Sequence, residues 1–311
     1  MAINRASIAK ELLPGVNAVF GTEYGNVVDE HVPLFDIENS DRAYEEEVLF
    51  TGFGTAPTKS EGAAVTYDTA QEGYTSRYTH ETIALAFAIT EEAMEDNLYD
   101  TFSKVRSKAL GRAVANTKQV KAADVFNNGF STSYLGGDGA AFFSASHPVV
   151  GGGNQSNTLG AVDLSESGLE TATITIGKAK DDRGILIGLQ PVSLHIPIDL
   201  TYTAEKILKS TLTTTALSSA GNAISNANDI NAIRSMSALP RGYFVNRRFT
   251  DTNAWFIKTD CPNGAKMFTR VKLQTKMEPD FDTGNLRYKV RERYSFGWSD
   301  WRGFYGASGS S

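Results

Sequence analysis

The chain has 311 residues, 41% of them hydrophobic and 21% charged, enough to bury a sizeable core in one to three compact units. Its 30 basic and 36 acidic residues give a net charge of −6, which disfavours tight sequence-specific DNA binding but suits a wall that holds nucleic acid without gripping it. No run of eighteen apolar residues exists, and Arg5, Lys10 and Glu11 interrupt the first twenty positions, so neither membrane insertion nor secretion is expected.

Residues 45–82 lack helical periodicity. Period-2 fragments such as Val65, Tyr67 and Thr69 are broken by Gly52, Gly54, Pro57, Gly62 and Gly73, which predicts a long two-stranded excursion. A ribbon with so few apolar residues needs something to lie on, such as a neighbouring subunit. Ile83, Leu85, Phe87 and Ile89 then alternate with Ala84, Ala86 and Ala88, as a strand entering a core does. Thr90 is placed to cap a helix whose first turns carry Glu91, Glu92, Glu95 and Asp96. Its apolar stripe runs through Met94, Leu98, Phe102, Val105, Ala109, Ala113, Val120 and Ala123 towards Gly129, a rod of roughly 50 Å.

Residues 129–163 turn to Gly, Ser and Asn and read as a long loop that binds or interlocks with something. Ser165 caps a shorter helix bearing Leu169, Ala172, Ile176 and Ala179, and a turn at Asp182, Arg183 and Gly184 leads into a strand pair punctuated by Pro191 and Pro197. A helix over 199–209, a mobile surface loop over 211–231 and strands at 243–245 and 255–257 follow. The last strand sets Leu286, Tyr288, Val290, Tyr294, Phe296 and Trp298 on one face and Arg287, Lys289, Arg291 and Arg293 on the other, with Glu292 as the single break. The fold class is α+β.

Candidate chemical sites are weak. Ser144 and Ser146 stand beside His147 in FFSASHP, the residue types a nucleophile and its base need, but no G-x-S-x-G elbow is present and Pro148 makes His147 a turn residue. The glycines at 136–137 and 151–153 lack the Lys-Ser/Thr of a phosphate loop. His31, His80, His147 and His195 are too scattered for metal-ligand spacing, and Cys261, the only cysteine, reads as a small hydrophobe in a reducing compartment. Asp181 with Asp182, and Asp280 with Asp282, read as turn residues. Trp298, Trp301, Phe304 and Tyr305 read as core filling rather than a sugar platform. No catalytic residue, cofactor or metal is expected. The cationic strand face is either solvated or an inter-subunit contact, with Glu45, Glu46 and Glu47 as its possible complement.

Several segments resemble the Mu-like phage major head subunit family, whose fold is the tailed-phage (Hong Kong 97-like) capsid fold. They are ITEEAMEDNLYD, FFSASHP with a following SNTL, LSESGLETA, DDRGILIGLQPVSLHIPIDL running into TAEKIL, AWFIKTD, MFTR and RYSFGWSDWRGFYG. The resemblance implies an N-terminal arm over 1–44 and an extended loop over 45–82 that overlaps a neighbouring capsomer. It implies a peripheral domain over 83–164 and 265–311 with a spine helix at about 90–128, and an axial domain over 165–264. It further implies a major capsid protein assembling as hexamers and pentamers into an icosahedral head around double-stranded DNA, inside the host cytoplasm. A separate scaffold, a portal and possible decoration proteins would be its partners. Lys59 lies where some capsids of this fold carry a crosslinking lysine, though nothing identifies a partner for it. A tail-tube or sheath protein and a hydrolase built on Ser144 and His147 are the alternatives.

Overall fold

The computed structural model describes residues 19–90, 92, 99–219, 222–280 and 282–310. A helical turn at 19–25 precedes β1 (Asp36–Asn39), β2 (Tyr44–Phe50), β3 (Glu72–Thr79) and β4 (Glu81–Ile89), then α1 (Tyr99–Asn127). Next come β5 (His147–Pro148), β6 (Asn154–Gln155), β7 (Thr158–Gly160), α2 (Glu166–Gly177), β8 (Pro191–Ile196) and α3 (Thr201–Lys209). The chain continues through β9 (Leu212–Ser219), β10 (Asn222–Ile230), α4 (Ala232–Ser235), β11 (Tyr243–Val245) and β12 (Trp255–Thr259), and closes with β13 (Ala265–Pro279), β14 (Leu286–Trp298) and β15 (Phe304–Ala307).

One sheet runs β1-β13-β14-β4, antiparallel except for β1, which pairs parallel with β13. On its inner face Tyr288 and Val290 of β14 meet Leu110 and Val114 of α1 and Phe20 of the helical turn. Gly111 lets that turn cross the rod, since a Cβ there would sit 3.1 Å from the Phe20 carbonyl oxygen. The second sheet, β11-β8-β12-β15-β7, takes β7 and β15 from outside the 165–264 block. Its central strands β8, β12 and β15 are buried on both faces, whereas the edge strands β11 and β7 are only half-buried. Trp255 and Ile257 of β12 join Leu169, Ala172 and Ile176 of α2, whereas Phe256 points the other way onto Phe126 of α1 at a ring separation of 5.3 Å. Phe126 also touches Phe35, Phe142, Phe143, Phe249 and Phe304, so the end of the rod is the joint between the two sheets.

Several expectations need correction. The rod is there, with α1 alone spanning roughly 43 Å, but its buried face is not the anticipated stripe. Ser107, Leu110, Gly111, Val114, Ala115, Gln119, Ala122, Ala123 and Phe126 face inward, so of the anticipated stripe Ala123 is buried as expected, while Val105 (60% exposed), Ala109, Ala113 and Val120 face out. At about 100° per residue, Val105 and Ser107 lie 200° apart, and small residues won the inward face because they allow close packing on the sheet. The helix start near Met94 and Leu98 lies outside the described residues, as does the side chain of Phe102.

The stretch 129–163 is no open loop, because Ala141, Phe142, Phe143, His147 and Asn157 are buried. Within 211–231, β9 (Leu212–Ser219) and β10 (Asn222–Ile230) pair antiparallel instead of forming a surface loop. Only β8 materialises from the anticipated strand pair near Pro191; Lys180 and Leu186 make one isolated bridge. Ser165 caps α2 by accepting the Gly168 N–H, as its spacing predicts. No helix among the described residues is long and apolar enough to cross a membrane.

Candidate functional site

One exposed surface is the ribbon β2-β3, paired from Tyr44↔Thr79 to Phe50↔Glu72, with the stretch that joins its strands. Its base is bound to the β1-β13-β14-β4 sheet of the same chain. Lys266 of β13 reaches Glu47 at 2.5 Å and Glu38 at 2.9 Å, and Ser299 donates to the other Glu47 oxygen. Burial works against the Lys266 ammonium, but the two glutamates outweigh it and its pKa is raised. Tyr78 of β3 is buried against Phe268, with ring centroids 4.8 Å apart. Glu45 accepts from the Ser40 hydroxyl at 2.7 Å, and Glu46 lies 3.8 Å from Arg77. The acidic run thus spends its charge largely inside the chain, and among the described residues no ion pair joins it to Arg287, Lys289, Arg291 or Arg293.

Beyond that base, 52–71 is almost wholly solvent-exposed. Phe50, Phe53, Val65 and Tyr67 are 65–94% exposed, and Lys59 is exposed among them. Large apolar groups left in water on one projecting element are characteristic of a surface that another chain covers.

The outer face of β13-β14-β4 is the second surface. Arg287, Lys289 and Arg291 are exposed there, opposite Glu278, Lys276 and Gln274 on one side and Ala88, Ala86 and Ala84 on the other. Arg287 bonds Asp280 at 2.5 Å, and Lys289 stands directly across from Lys276, a like-charge pairing that Glu278 offsets by its ion pair with Lys276 and its attraction to Lys289. Arg293 differs in being half-buried, with its Nε unpartnered. Glu292 belongs to the inner face: it is buried and bonded to Lys118 of α1.

Ser144 and His147 do not face each other, and His147 is a buried residue of β5 rather than the turn residue its Pro148 neighbour suggests. The imidazole is fully buried, with Nδ1 2.5 Å from Asp138 Oδ2, Nε2 3.0 Å from Asn157 Oδ1, and its ring stacked 4.4 Å over Trp301. Both nitrogens are thereby committed, and the Ser144 hydroxyl instead accepts the Ser146 N–H. Asn157 is the residue that sequence reading missed. Its amide group reaches the carbonyls of Phe142, Trp301 and Phe304, while its Oδ1 accepts the Ser144 N–H.

The other three histidines are buried as well: His31 bonds Gln119, His80 sits between Ser40 and Ser295, and His195 bonds Ser193. Among the described residues no group of three or more His, Cys, Asp or Glu could hold a metal ion. Cys261 is half-buried, and burial pushes its thiol pKa up. Asp280, Asp181 and Asp182 take structural roles in turns and ion pairs. Asp282 is exposed in the β13-β14 turn. Trp301, Phe304 and Tyr305 are core residues, and Trp298 stacks on Phe142 at 4.6 Å.

A rod-braced sheet, a second α+β unit and a projecting ribbon define a capsid-type fold, and solved structures carry it over nearly the whole chain. The capsid of a native GTA particle matches with a TM-score of 0.55 and 12% identity, covering 92% of each chain. A virus-like particle from Pyrococcus furiosus matches with a TM-score of 0.51 and 9% identity, over 96% of this chain and 99% of that one. The capsid of Myoviridae phage XM1 gives 0.51 and 11%, over 88% and 89%. The fold is the Hong Kong 97-like capsid fold. The family described as phage capsid protein matches residues 72–307, and the chain belongs to it. No curated protein matches.

Proposed function

We propose that this chain is the major capsid protein of a tailed bacteriophage, of the Mu-like major head subunit type, and that it builds the icosahedral head shell around double-stranded DNA. The observation that carries the reading is the phage capsid family match over residues 72–307. It is supported by a ribbon whose Phe50, Phe53, Val65 and Tyr67 find no cover within their own chain. Repetition is the mechanism: ribbon and rod of adjacent copies overlap, each contact burying apolar area that one chain leaves in water, and closed symmetry multiplies weak contacts into a stable wall. Hexamers and pentamers, a separate scaffold, a portal and decoration proteins complete the assembly in the host cytoplasm. The subunit acts without catalysis and without a cofactor.

Negative-stain microscopy of the purified protein tests this. Closed shells of uniform diameter are expected; open tubes or rings would point to a tail protein and overturn the reading. The cationic face of β14 has its own test. Arg291→Glu combined with Arg293→Glu weakens shell stability most at low salt, where charge is least screened; unchanged particles across a salt series would remove Arg291 and Arg293 from the assembly contacts.

A further inference from the structure

Between Thr51 and Gln71, whose backbone and hydroxyl bonds close the neck of the extended loop, the chain runs through 52–70 with no regular secondary structure. Among the described residues a single side-chain interaction ties this stretch to the body of the chain. Arg183 Nη2 lies 2.7 Å from both carboxylate oxygens of Asp68. Both ends are prepared for it. Asp68 Oδ2 also accepts the Gly54 N–H at 2.7 Å, so the carboxylate cross-links the two limbs of the loop. Arg183 rides on a turn fixed by Asp181, whose Oδ1 accepts the N–H groups of Arg183 and Ile185 at 2.9 and 2.8 Å.

We infer that the Asp68–Arg183 pair is a latch: it parks the extended loop on the chain's own 181–184 turn until a second copy takes the loop up. The hand-over rests on the shell-building reading; the parking does not. A pair with side chains 40% and 23% exposed is weak and salt-sensitive, which suits a contact that must be exchanged for another. The apolar residues that a second copy would cover, Phe53, Val65 and Tyr67, lie on the segment that the latch positions.

Limited trypsin digestion of unassembled chains, scored as cleavage after Lys59 by mass spectrometry, reads the parking directly. Arg183→Gln should speed that cleavage by about two- to fivefold. Asp68→Asn should do at least as much, the double variant no more than Asp68→Asn alone, and added salt should bring the native chain to the Arg183→Gln rate. Equal rates for native and variant chains, or additive single effects, overturn the latch. Light scattering reads the hand-over: Arg183→Gln chains, with the loop already free, should begin assembling sooner, and an unchanged onset overturns that step alone. Failure to form shells at all would sink the shell reading and leave the digestion result standing.

Discussion

Lys118 Nζ of α1 lies 2.6 Å from Glu292 Oε2 of β14, with side chains only 14% and 2% exposed. Tyr24 of the N-terminal helical turn completes the cluster, its hydroxyl 2.5 Å from the same ammonium. Burial opposes the charge on Lys118, but Glu292 and Tyr24 prevail and its pKa is raised; burial dominates at Glu292, whose pKa is also raised. Removing one partner strands the other in the interior, so Lys118→Met should cost about 3–5 kcal/mol, while Lys118→Met with Glu292→Leu should recover most of it. Denaturant midpoints at constant slope check this, and equal losses in the single and double variants would refute it.

That pair also marks where sequence reading stops. The alternation of β14 was legible, and Glu292 showed as its only irregularity, but nothing local points to Lys118, 174 positions earlier in the chain. The rod was legible as a rod, whereas its inward face was not, because Ser107, Gly111, Ala115 and Ala122 are chosen for size rather than hydrophobicity. Strand β13 was legible only at its start, through the resemblance of MFTR to the family's closing strands, although Val271, Leu273, Thr275 and Met277 alternate cleanly with Lys272, Gln274, Lys276 and Glu278 beyond it. The candidate site divided the same way. The projecting ribbon was visible in its broken period-2 pattern, while the internal pairing of Glu47 with Lys266 depends on a contact 219 residues away in sequence.

Asn157 holds 129–163 in place, and its replacement should be among the most damaging in the protein. Asn157→Ala leaves buried carbonyls of Phe142, Trp301 and Phe304, the Ser144 N–H and His147 Nε2 short of a partner. At about 1–3 kcal/mol for each buried polar group left unsatisfied, two such groups alone remove several kcal/mol. Chemical denaturation should show a large fall in midpoint; a loss under about 1 kcal/mol would mean that the amide is not the hub.

Gly137 brings the same segment against the ribbon. A Cβ at this position would stand 2.5 Å from the Thr75 carbonyl oxygen and 2.8 Å from the Ser76 hydroxyl, both on β3. Backbone cannot yield as a flexible side chain does, so Gly137→Ala should cost roughly 1–3 kcal/mol and loosen the ribbon base. Hydrogen exchange checks both halves: amides of β2 and β3 should lose protection before those of β12 and β15. Uniform loss across both sheets would show that the contact does not act on the ribbon.

Acid should unfold the protein through its buried imidazoles. Burial, with the charge of Lys258 second, pushes the pKa of His195 down to about 3 from its ordinary 6.5, and burial also lowers His31 and His80. Above pH 6.5 these rings are neutral whether folded or not and contribute no pH dependence. Below it the unfolded chain binds protons that the folded chain refuses, so stability falls as pH drops and continues to fall until the folded pKa is reached. For His195 the slope is roughly 1.4 kcal/mol per pH unit, acting between about pH 6 and about pH 4. His195→Gln keeps a polar partner for Ser193 but cannot titrate, so its stability should decline less steeply over that window by about this amount. Parallel profiles for native and variant chains, measured by urea denaturation at successive pH values, would show that His195 is not responsible for the acid limb.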